Sequence, residues 1–261
     1  MLEQCLALRR AMSSPVDIAA TLSTLSLVLL DTGDPGGARE CELEALALFR
    51  QLGDRIGEAI GLLHLGQICI YIADDLQARA HLEQCLAIAR DLEHCEIQSE
   101  CLRMLGGIAL EAADVSGARE WFTRSLEACK GADDRRDEAT SLWWMSKADA
   151  AAGDLALAQE HLATALKALV AFEMNAEILG CLEDQASLAR GRGEAEAAAH
   201  LLGAAEAQRE RLDLARPPRS QQRWLDEVAA TRGQLDAAAF DAAWSAGRQW
   251  ELQDAVKRAL G

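Results

Sequence analysis

Residues 62–85, LLHLGQICIYIADDLQARAHLEQC, return 40 residues later as residues 102–125, LRMLGGIALEAADVSGAREWFTRS. The same register runs without a gap from residue 13 to residue 212. A column of acidic residues marks it: Asp34, Asp74, Asp114, Asp154 and Glu194. A fixed period in this range indicates a solenoid of stacked supersecondary units. Solenoids bind partners through surfaces that several repeats share, so the register predicts both an architecture and a mode of action.

One repeat contains the signals for two helices. Ser14 followed by Pro15 is typical of a helix N-cap and its first helical position. Gly33 favours the left-handed conformation that ends a helix. Asp34 and Pro35 then begin a second helix, which is predicted to reach about Phe49. Two antiparallel helices joined by a tight turn form an αα-hairpin. The acidic column is therefore interpreted as helix caps, with no catalytic role.

Two columns of small residues explain how such hairpins could stack. Helix axes approach to the short end of the usual ~8–10 Å separation only where side chains are small. The first helix carries one column, and the second helix carries the other: Ser26, Gly66, Gly106, Ser146 and Ala186; Ala38, Ala78, Ala118, Ala158 and Ala198. The prediction is an all-α solenoid.

Composition excludes several classes of function. The 261 residues are 50% hydrophobic but only 4% aromatic, and they carry a formal net charge of −16. Such a charge argues against a broad surface for nucleic acid phosphates, so no direct nucleic acid binding is expected. No apolar run approaches the roughly 20 residues that span a bilayer, and no signal peptide follows Met1. We expect a cytoplasmic chain with no membrane contact.

The eight cysteines invite a disulfide or metal interpretation, but the register opposes it. Cys5 and Cys85 share a column with Ala45 and Ser125, and Cys101 shares another with Gly61. Because they alternate with small residues, we interpret them as small buried thiols. No C-x-x-C pair occurs, which agrees with a reducing compartment.

A search for catalytic chemistry finds little. No G-x-x-x-x-G-K-[ST] motif is present, so the chain has no P-loop. His94 and Cys95 with Cys101 come nearest to a metal cluster, but they lack the paired spacing of zinc ligands. The many carboxylates are typical of the solvated faces of amphipathic helices. We therefore expect no metal, no cofactor and no enzyme activity.

The pattern of large and small residues resembles the tetratricopeptide repeat. In the quoted stretch the residues that carry the resemblance are Leu62, Leu65, Gly66, Cys69, Ala78, Leu82 and Cys85. The usual repeat has ~34 residues, so the 40-residue period implies longer helices or turns. The family's usual tryptophan, tyrosine and closing proline are absent. The resemblance implies a right-handed superhelix over residues 1–212, with the first helices facing a concave groove.

The same resemblance implies which residues line that groove. Carried over position by position, the candidate partner-binding residues include an aromatic and charged set: Leu63, Gln67, Tyr71, Arg103, Trp143 and Lys147. Aromatic anchors beside a few charges are the mixture found at binding hot spots. The alternative is that Trp143 and Trp144 only thicken the core.

Both ends of the chain depart from the register. Residues 1–12 match a second helix without its partner, so we expect a truncated repeat whose uncovered face could support a homo-oligomer. The repeats are predicted to end near residue 214, and Pro217-Pro218 precede a helical cap over residues 215–261. Three helices are expected there, over residues 221–232, 236–246 and 251–260.

The tail carries a second resemblance. Residues 201–207, LLGAAEA, and residues 239–248, AFDAAWSAGR, resemble the C-terminal part of large bacterial ATP-binding regulators of the LuxR type and related multidomain signalling proteins. That resemblance implies an NTPase domain upstream in a parent protein. The leading hypothesis is a non-catalytic scaffold that binds a peptide or partner domain in its groove. The alternative is a sensor domain that binds a small-molecule inducer.

Overall fold

The computed structural model describes residues 14–132 and 134–261, and these residues form helices with no strand. The helices lie at the following positions: α1 (Pro15–Asp31), α2 (Pro35–Leu52), α3 (Arg55–Tyr71), α4 (Asp75–Asp91), α5 (Cys95–Glu111), α6 (Val115–Ala132), α7 (Arg135–Ala151), α8 (Leu155–Ala171), α9 (Asn175–Gly191), α10 (Ala195–Leu212), α11 (Pro218–Arg232), α12 (Ala237–Gly247) and α13 (Leu252–Leu260). The predicted all-α solenoid with a helical cap is confirmed.

The chain divides into two compact units, one ending at Ala132 and the other holding residues 134–261. In the first unit α1 packs on α2, α3 on α4 and α5 on α6, each pair joined by a short turn. In the second unit α7 packs on α8 and α9 on α10. Each of these pairs is one αα-hairpin of the predicted register.

Three of the five residues in the acidic column cap their helices as predicted, and two do not. The side chains of Asp34, Asp74 and Asp114 accept hydrogen bonds from backbone N–H groups three residues on, at 2.9–3.1 Å. Asp154 and Glu194 occupy the same position but make no such bond. Helix capping is therefore confirmed at three of the five positions. A column that the sequence analysis passed over supplies further caps at the first helices: Asp54, His94 and Asp134.

Turns between helices use the left-handed backbone where it was expected. Gly33 ends α1 with a φ of 83°, and Gly53 ends α2 with a φ of 69°. Ser14 does stand at the N-cap of α1, but its hydroxyl donates to Asp17 Oδ2, at 2.7 Å, and makes no cap hydrogen bond with the backbone. The predicted capping role of that side chain is therefore wrong.

The small columns lie where helices approach most closely. The five alanines from Ala38 to Ala198 are all fully buried. A Cβ atom on Gly66 would stand 2.7 Å from a Leu82 methyl carbon, and one on Gly106 would stand 2.3 Å from the Phe122 ring. A side chain at either position would force Leu82 or Phe122 to shift, so the present packing favours glycine there. The interpretation of the columns as packing surfaces is confirmed.

Three helices cover the end of the second unit's stack. Helix α12 lies against α10, where Gly203 meets the backbone of Trp244 and Gly247 meets the backbone of His200. Helices α11 and α13 also contact α10. Their observed bounds differ from the predicted ones by at most one residue, except that α11 begins three residues earlier, at Pro218.

Two predictions from the sequence are not tested by the structure. The truncated repeat over residues 1–12 and the oligomer contact inferred from it lie outside the described residues. The division into repeats up to residue 214 and a cap from 215 also stays a prediction. Within the described ranges, no helix combines the length and the apolar character needed to cross a membrane.

Candidate functional site

In the first unit, the predicted groove residues lie on α3 and α5, which contact one another. Gln67, Tyr71 and Arg103 are half-buried and therefore present part of their side chains at the surface. Leu63 is different, because only 4% of it is exposed and it packs into the core of this unit. The structure thus brings three of the four residues to a surface, and Leu63 contributes to packing.

In the second unit, Trp143 and Lys147 lie one turn apart on α7 and converge on Asp184 of α9. The Trp143 indole Nε1 donates to Asp184 Oδ2, at 2.6 Å, and the Lys147 ammonium donates to the same oxygen, at 2.5 Å. We call Trp143, Trp144, Lys147 and Asp184 the tryptophan cluster. The cluster ties the first helices of two consecutive hairpins together.

Aromatic faces contribute to the tryptophan cluster as well as hydrogen bonds. Lys147 Nζ stands 4.7 Å from the centroid of the Trp143 ring and 5.5 Å from that of the Trp144 ring. Both distances fall within the ~6 Å range of a cation–π interaction. The Trp143 ring also lies against Gly180, where a Cβ atom would stand 2.3 Å from it. Glycine at that position of α9 therefore lets the indole lie flat.

The cluster is only partly buried. The side chains of Lys147 and Asp184 are 20% and 29% exposed, and both tryptophans are half-buried. The Trp143 ring packs against α9 at Gly180 and the residue is partly exposed, and its assignment to a binding groove stays a prediction. Sequence reasoning missed Asp184, although its position one residue beyond the 40-residue equivalent of Trp143 was available as a signal.

A second polar cluster lies inside the first unit and joins three helices. Glu42 on α2 is fully buried and accepts hydrogen bonds from Ser23 Oγ of α1, at 3.0 and 3.2 Å. His64 Nδ1 of α3 lies 3.2 Å from Glu42 Oε2 and 3.0 Å from Ser23 Oγ. A buried carboxylate requires such partners because desolvation of an unpaired charge is costly.

Serine, histidine and glutamate suggest a hydrolytic triad, but their geometry does not fit one. In a triad one imidazole nitrogen faces the serine and the other faces the carboxylate. Here the same nitrogen, Nδ1 of His64, faces both Ser23 and Glu42. The Ser23 hydroxyl donates directly to the carboxylate and is itself buried. We therefore assign this cluster a structural role.

A comparable pair lies in the second unit. Asp149 on α7 is fully buried, and its Oδ2 lies 2.7 Å from His161 Nδ1 on α8. This contact joins the two helices of one hairpin. Each unit thus contains a buried carboxylate that is matched by a histidine, which is typical of a structural role for such groups.

Two open clefts lie beside the N-terminal half of α10 and are lined by residues outside the predicted groove set. One, of about 610 Å³, is lined by Glu194, Glu196, His200 and Gln234 among others. A second, of about 320 Å³, shares His200 and is bounded by Trp250. The His200 and Trp250 rings stack with centroids 5.2 Å apart. Both clefts are open to solvent.

The structure shows the surroundings of the candidate metal ligands and of several cysteines. Among the residues the structure describes, no group of three or more histidine, cysteine or acidic side chains is arranged to hold a metal ion. His94, the nearest sequence candidate, caps α5 through Nδ1. Burial raises the pKa of the Cys181 thiol, which suits an inert packing residue. Cys85 and Cys101 are fully buried, as the columns predict.

Comparison with known proteins gives a family match over part of the chain. Residues 17–91, which include most of α1 and all of α2 to α4, match the tetratricopeptide repeat family. No curated protein matches the sequence.

Solved structures extend the likeness across the chain. BtubC from P. vanneervenii superposes with a TM-score of 0.62 at 17% identity, covering 83% of this chain and 89% of BtubC. A Rap protein complexed with Competence and Sporulation Factor gives 0.61 at 12% identity, with 92% of this chain and 59% of that one covered.

A STAND signal-transduction ATPase with a tetratricopeptide repeat sensor, from Pyrococcus horikoshii, gives a TM-score of 0.63 at 13% identity. The match covers 94% of this chain but only 38% of that one. At these identities the likeness shows the fold alone. The tetratricopeptide repeat match is thus limited to residues 17–91, and the solved structures show a similar helical-repeat fold over most of the chain; tetratricopeptide repeats generally form scaffolds for protein interaction.

Proposed function

We propose that this tetratricopeptide repeat chain binds a peptide segment or a partner domain through its first helices, within a bacterial signal-transduction or transcriptional regulator. The observation that carries the proposal is the tryptophan cluster. Two indole rings, half-buried beside a lysine and an aspartate, stand on the helices that the family resemblance assigns to the binding face. Tryptophan and charged groups in partly desolvated sites are typical of binding hot spots.

The cluster is ordered before any partner arrives. Asp184 holds the Trp143 indole by one hydrogen bond, and Gly180 supports its ring. A side chain held in place loses little conformational entropy on binding, so a rigid indole contributes more net affinity than a mobile one. Gln67, Tyr71 and Arg103 offer a second set of half-buried side chains on the first unit. We propose them as further contacts.

The regulatory context rests on the comparisons. Two of the structural neighbours are a Rap protein complexed with Competence and Sporulation Factor and a STAND ATPase with a repeat sensor. This chain spans 59% and 38% of their lengths. We therefore propose that the chain acts beside other domains, among them an upstream NTPase. Binding of a partner at its site would change the state of those domains.

The experiment uses thermal melting against a peptide panel, because a ligand that binds only the folded chain raises the melting temperature. A peptide that raises the melting temperature of the wild-type chain is then tested on Trp143→Ala with Lys147→Ala. We expect the shift to disappear. The matched control is Trp121→Ala. It removes a half-buried tryptophan from α6, which is the second helix of its hairpin and not one of the first helices proposed to bind. An unchanged shift in the cluster variant would overturn the proposal.

A small-molecule sensor is the second candidate, and the open cleft beside α10 favours it. That cleft is lined by carboxylates and by His200, which suits a cationic metabolite. A metabolite panel in the same melting experiment separates the two candidates. A shift caused by a metabolite and abolished by His200→Ala, with peptides inactive, would favour the sensor.

A further inference from the structure

Two buried cysteines from consecutive hairpins of the first unit are in direct contact. The Cys101 thiol on α5 donates to Cys85 Sγ on α4, at 2.9 Å. Non-bonded carbon atoms pack at ~3.5–4.0 Å, and sulfur is the larger atom. A disulfide has a sulfur–sulfur distance of ~2.05 Å, so the two atoms need to move together by only about 0.9 Å.

We propose that Cys85 and Cys101 form an intramolecular disulfide when the folded chain meets a hydroperoxide. The two side chains are 16 positions apart in the chain, and both are fully buried in the core of this unit. The two sulfur atoms already lie in contact, so bond formation itself requires only a small displacement of the side chains. The pair is thus a modification site that links two repeats covalently.

The chemistry balances with hydrogen peroxide as the oxidant. One cysteine, as its thiolate, attacks the peroxide O–O bond and becomes a sulfenic acid, releasing hydroxide. The second thiol attacks the sulfenic sulfur, forms the S–S bond and displaces water. Two thiols lose two electrons and two protons in total, and the peroxide is reduced to two waters. The pair is closed to solvent, so peroxide reaches it only when the surrounding helices open transiently.

The reaction is expected to be slow in the folded chain. The hydrogen bond to Cys85 and burial both raise the pKa of the Cys101 thiol, so little thiolate is present. Oxidation therefore follows transient local opening of α4 and α5. Once formed, the bond is reached by reductants only through the same transient opening, so its reduction in the folded chain is also slow.

The register supplies a matched control. Cys181 on α9 occupies the column of Cys101 and is equally buried, but Ala165 stands in the column of Cys85 there. Cys181 thus matches Cys101 in burial but has no partner thiol in that column. The columns also supply substitutions that the fold accepts, since Ala45 matches Cys85 and Ser141 matches Cys101.

The test is differential alkylation of the full chain. Accessible thiols are first blocked with iodoacetamide, the folded chain is treated with hydrogen peroxide, and the remaining thiols are labelled after denaturation with N-ethylmaleimide. We expect peptide mapping without reductant to show a crosslink between the Cys85 and Cys101 peptides, while Cys181 still takes up the label. The oxidised chain should melt at a higher temperature than the reduced one, because the crosslink restricts the unfolded chain.

Two variants keep the inference falsifiable. Cys85→Ala and Cys101→Ser each remove one thiol, and each should abolish both the crosslink and the rise in melting temperature. The inference is overturned if Cys85 and Cys101 both still take up N-ethylmaleimide after the peroxide treatment, if Cys85 is oxidised to a sulfinic acid without a crosslink, or if the melting temperature rises equally in the variants.

Discussion

The Asp184 carboxylate lies 2.6 Å from the Trp143 indole nitrogen, although 41 residues separate the two. The contact joins α7 to α9 through polar groups rather than through the small columns that pack the hairpins. Lys147 shares the same carboxylate oxygen, so one side chain orients both residues. The proposed binding residues Trp143 and Lys147 are therefore held by a neighbouring repeat, and a change in that repeat should affect the proposed site.

Asp184→Ala should lower the free energy of unfolding by about 1–3 kcal/mol, because it removes hydrogen bonds to a charged acceptor that is mostly shielded from solvent. Urea denaturation measures this. The control is Asp254→Ala, whose carboxylate is exposed and lies 3.9 Å from Lys257 Nζ. Exposed pairs contribute little, so the control should be near wild type. An equal loss of unfolding free energy in the two variants would show that the Asp184 contact contributes no more to stability than an exposed ion pair.

Glu42→Ala should cost about 3–5 kcal/mol, because it removes the buried carboxylate that pairs with His64 and leaves the Ser23 hydroxyl without its acceptor. Glu40→Ala is the matched control, since Glu40 is exposed on the same helix. Surface changes of this kind usually stay within about 0.5 kcal/mol. A loss below about 1 kcal/mol for Glu42→Ala would mean that the cluster is hydrated or rearranges freely.

Much of the fold followed from the sequence because its determinants are local. Asp34 could be identified as a cap, and Gly33 as a helix end, since both act on backbone within a few residues of themselves. The small columns could be identified because a repeated constraint leaves a repeated residue type.

The sites could be predicted less well from the sequence, because they depend on contacts between repeats. Leu63 was assigned to the groove by position, yet its side chain is taken up by the core of the first unit. Asp184 and the contact between Cys85 and Cys101 depend on how neighbouring helices face each other. A periodic sequence does not specify that arrangement at the level of single atoms.

Gly106→Ala should destabilise the chain by about 1–3 kcal/mol, since the new Cβ would stand 2.3 Å from the fully buried Phe122 ring. Gly191→Ala provides the opposite case. No atom lies within 4 Å of a Cβ there, and alanine favours the helix by about 0.5–1 kcal/mol. Thermal melting should therefore move in opposite directions for the two variants. A shift of the same sign would contradict the packing argument.

His81 should make stability depend on pH. Burial, with Arg39 and Arg50 nearby, lowers its pKa from 6.5 in the folded chain. The unfolded chain then binds more protons as the pH falls, so stability is fully present above the unfolded pKa and is lost below it. Between about pH 7.5 and about pH 5.5, His81→Leu should show a smaller fall in the free energy of unfolding than wild type. Leucine is chosen because Leu201 occupies the same column.

In that pH range the titration of His81 can be distinguished from that of two carboxylates, Glu194 and Glu210. Hydrogen bonds from Arg192 and Arg248 lower the pKa values of Glu194 and Glu210 below 4.5, so both stay ionised throughout it. Identical pH profiles for wild type and His81→Leu would show that the imidazole is equally protonated in the folded and unfolded chains.

Thiol reactivity should follow burial rather than sequence neighbourhood. Cys41 and Cys95 are half-buried, whereas burial raises the pKa of the Cys69 thiol and of the Cys181 thiol. Because the thiolate is the reactive form, iodoacetamide should modify Cys41 and Cys95 before Cys69 and Cys181 in the folded chain. Peptide mapping over time gives the order. In denaturant the rates should converge, since the difference arises only from folding, and a difference that persisted there would have to come from the local sequence instead.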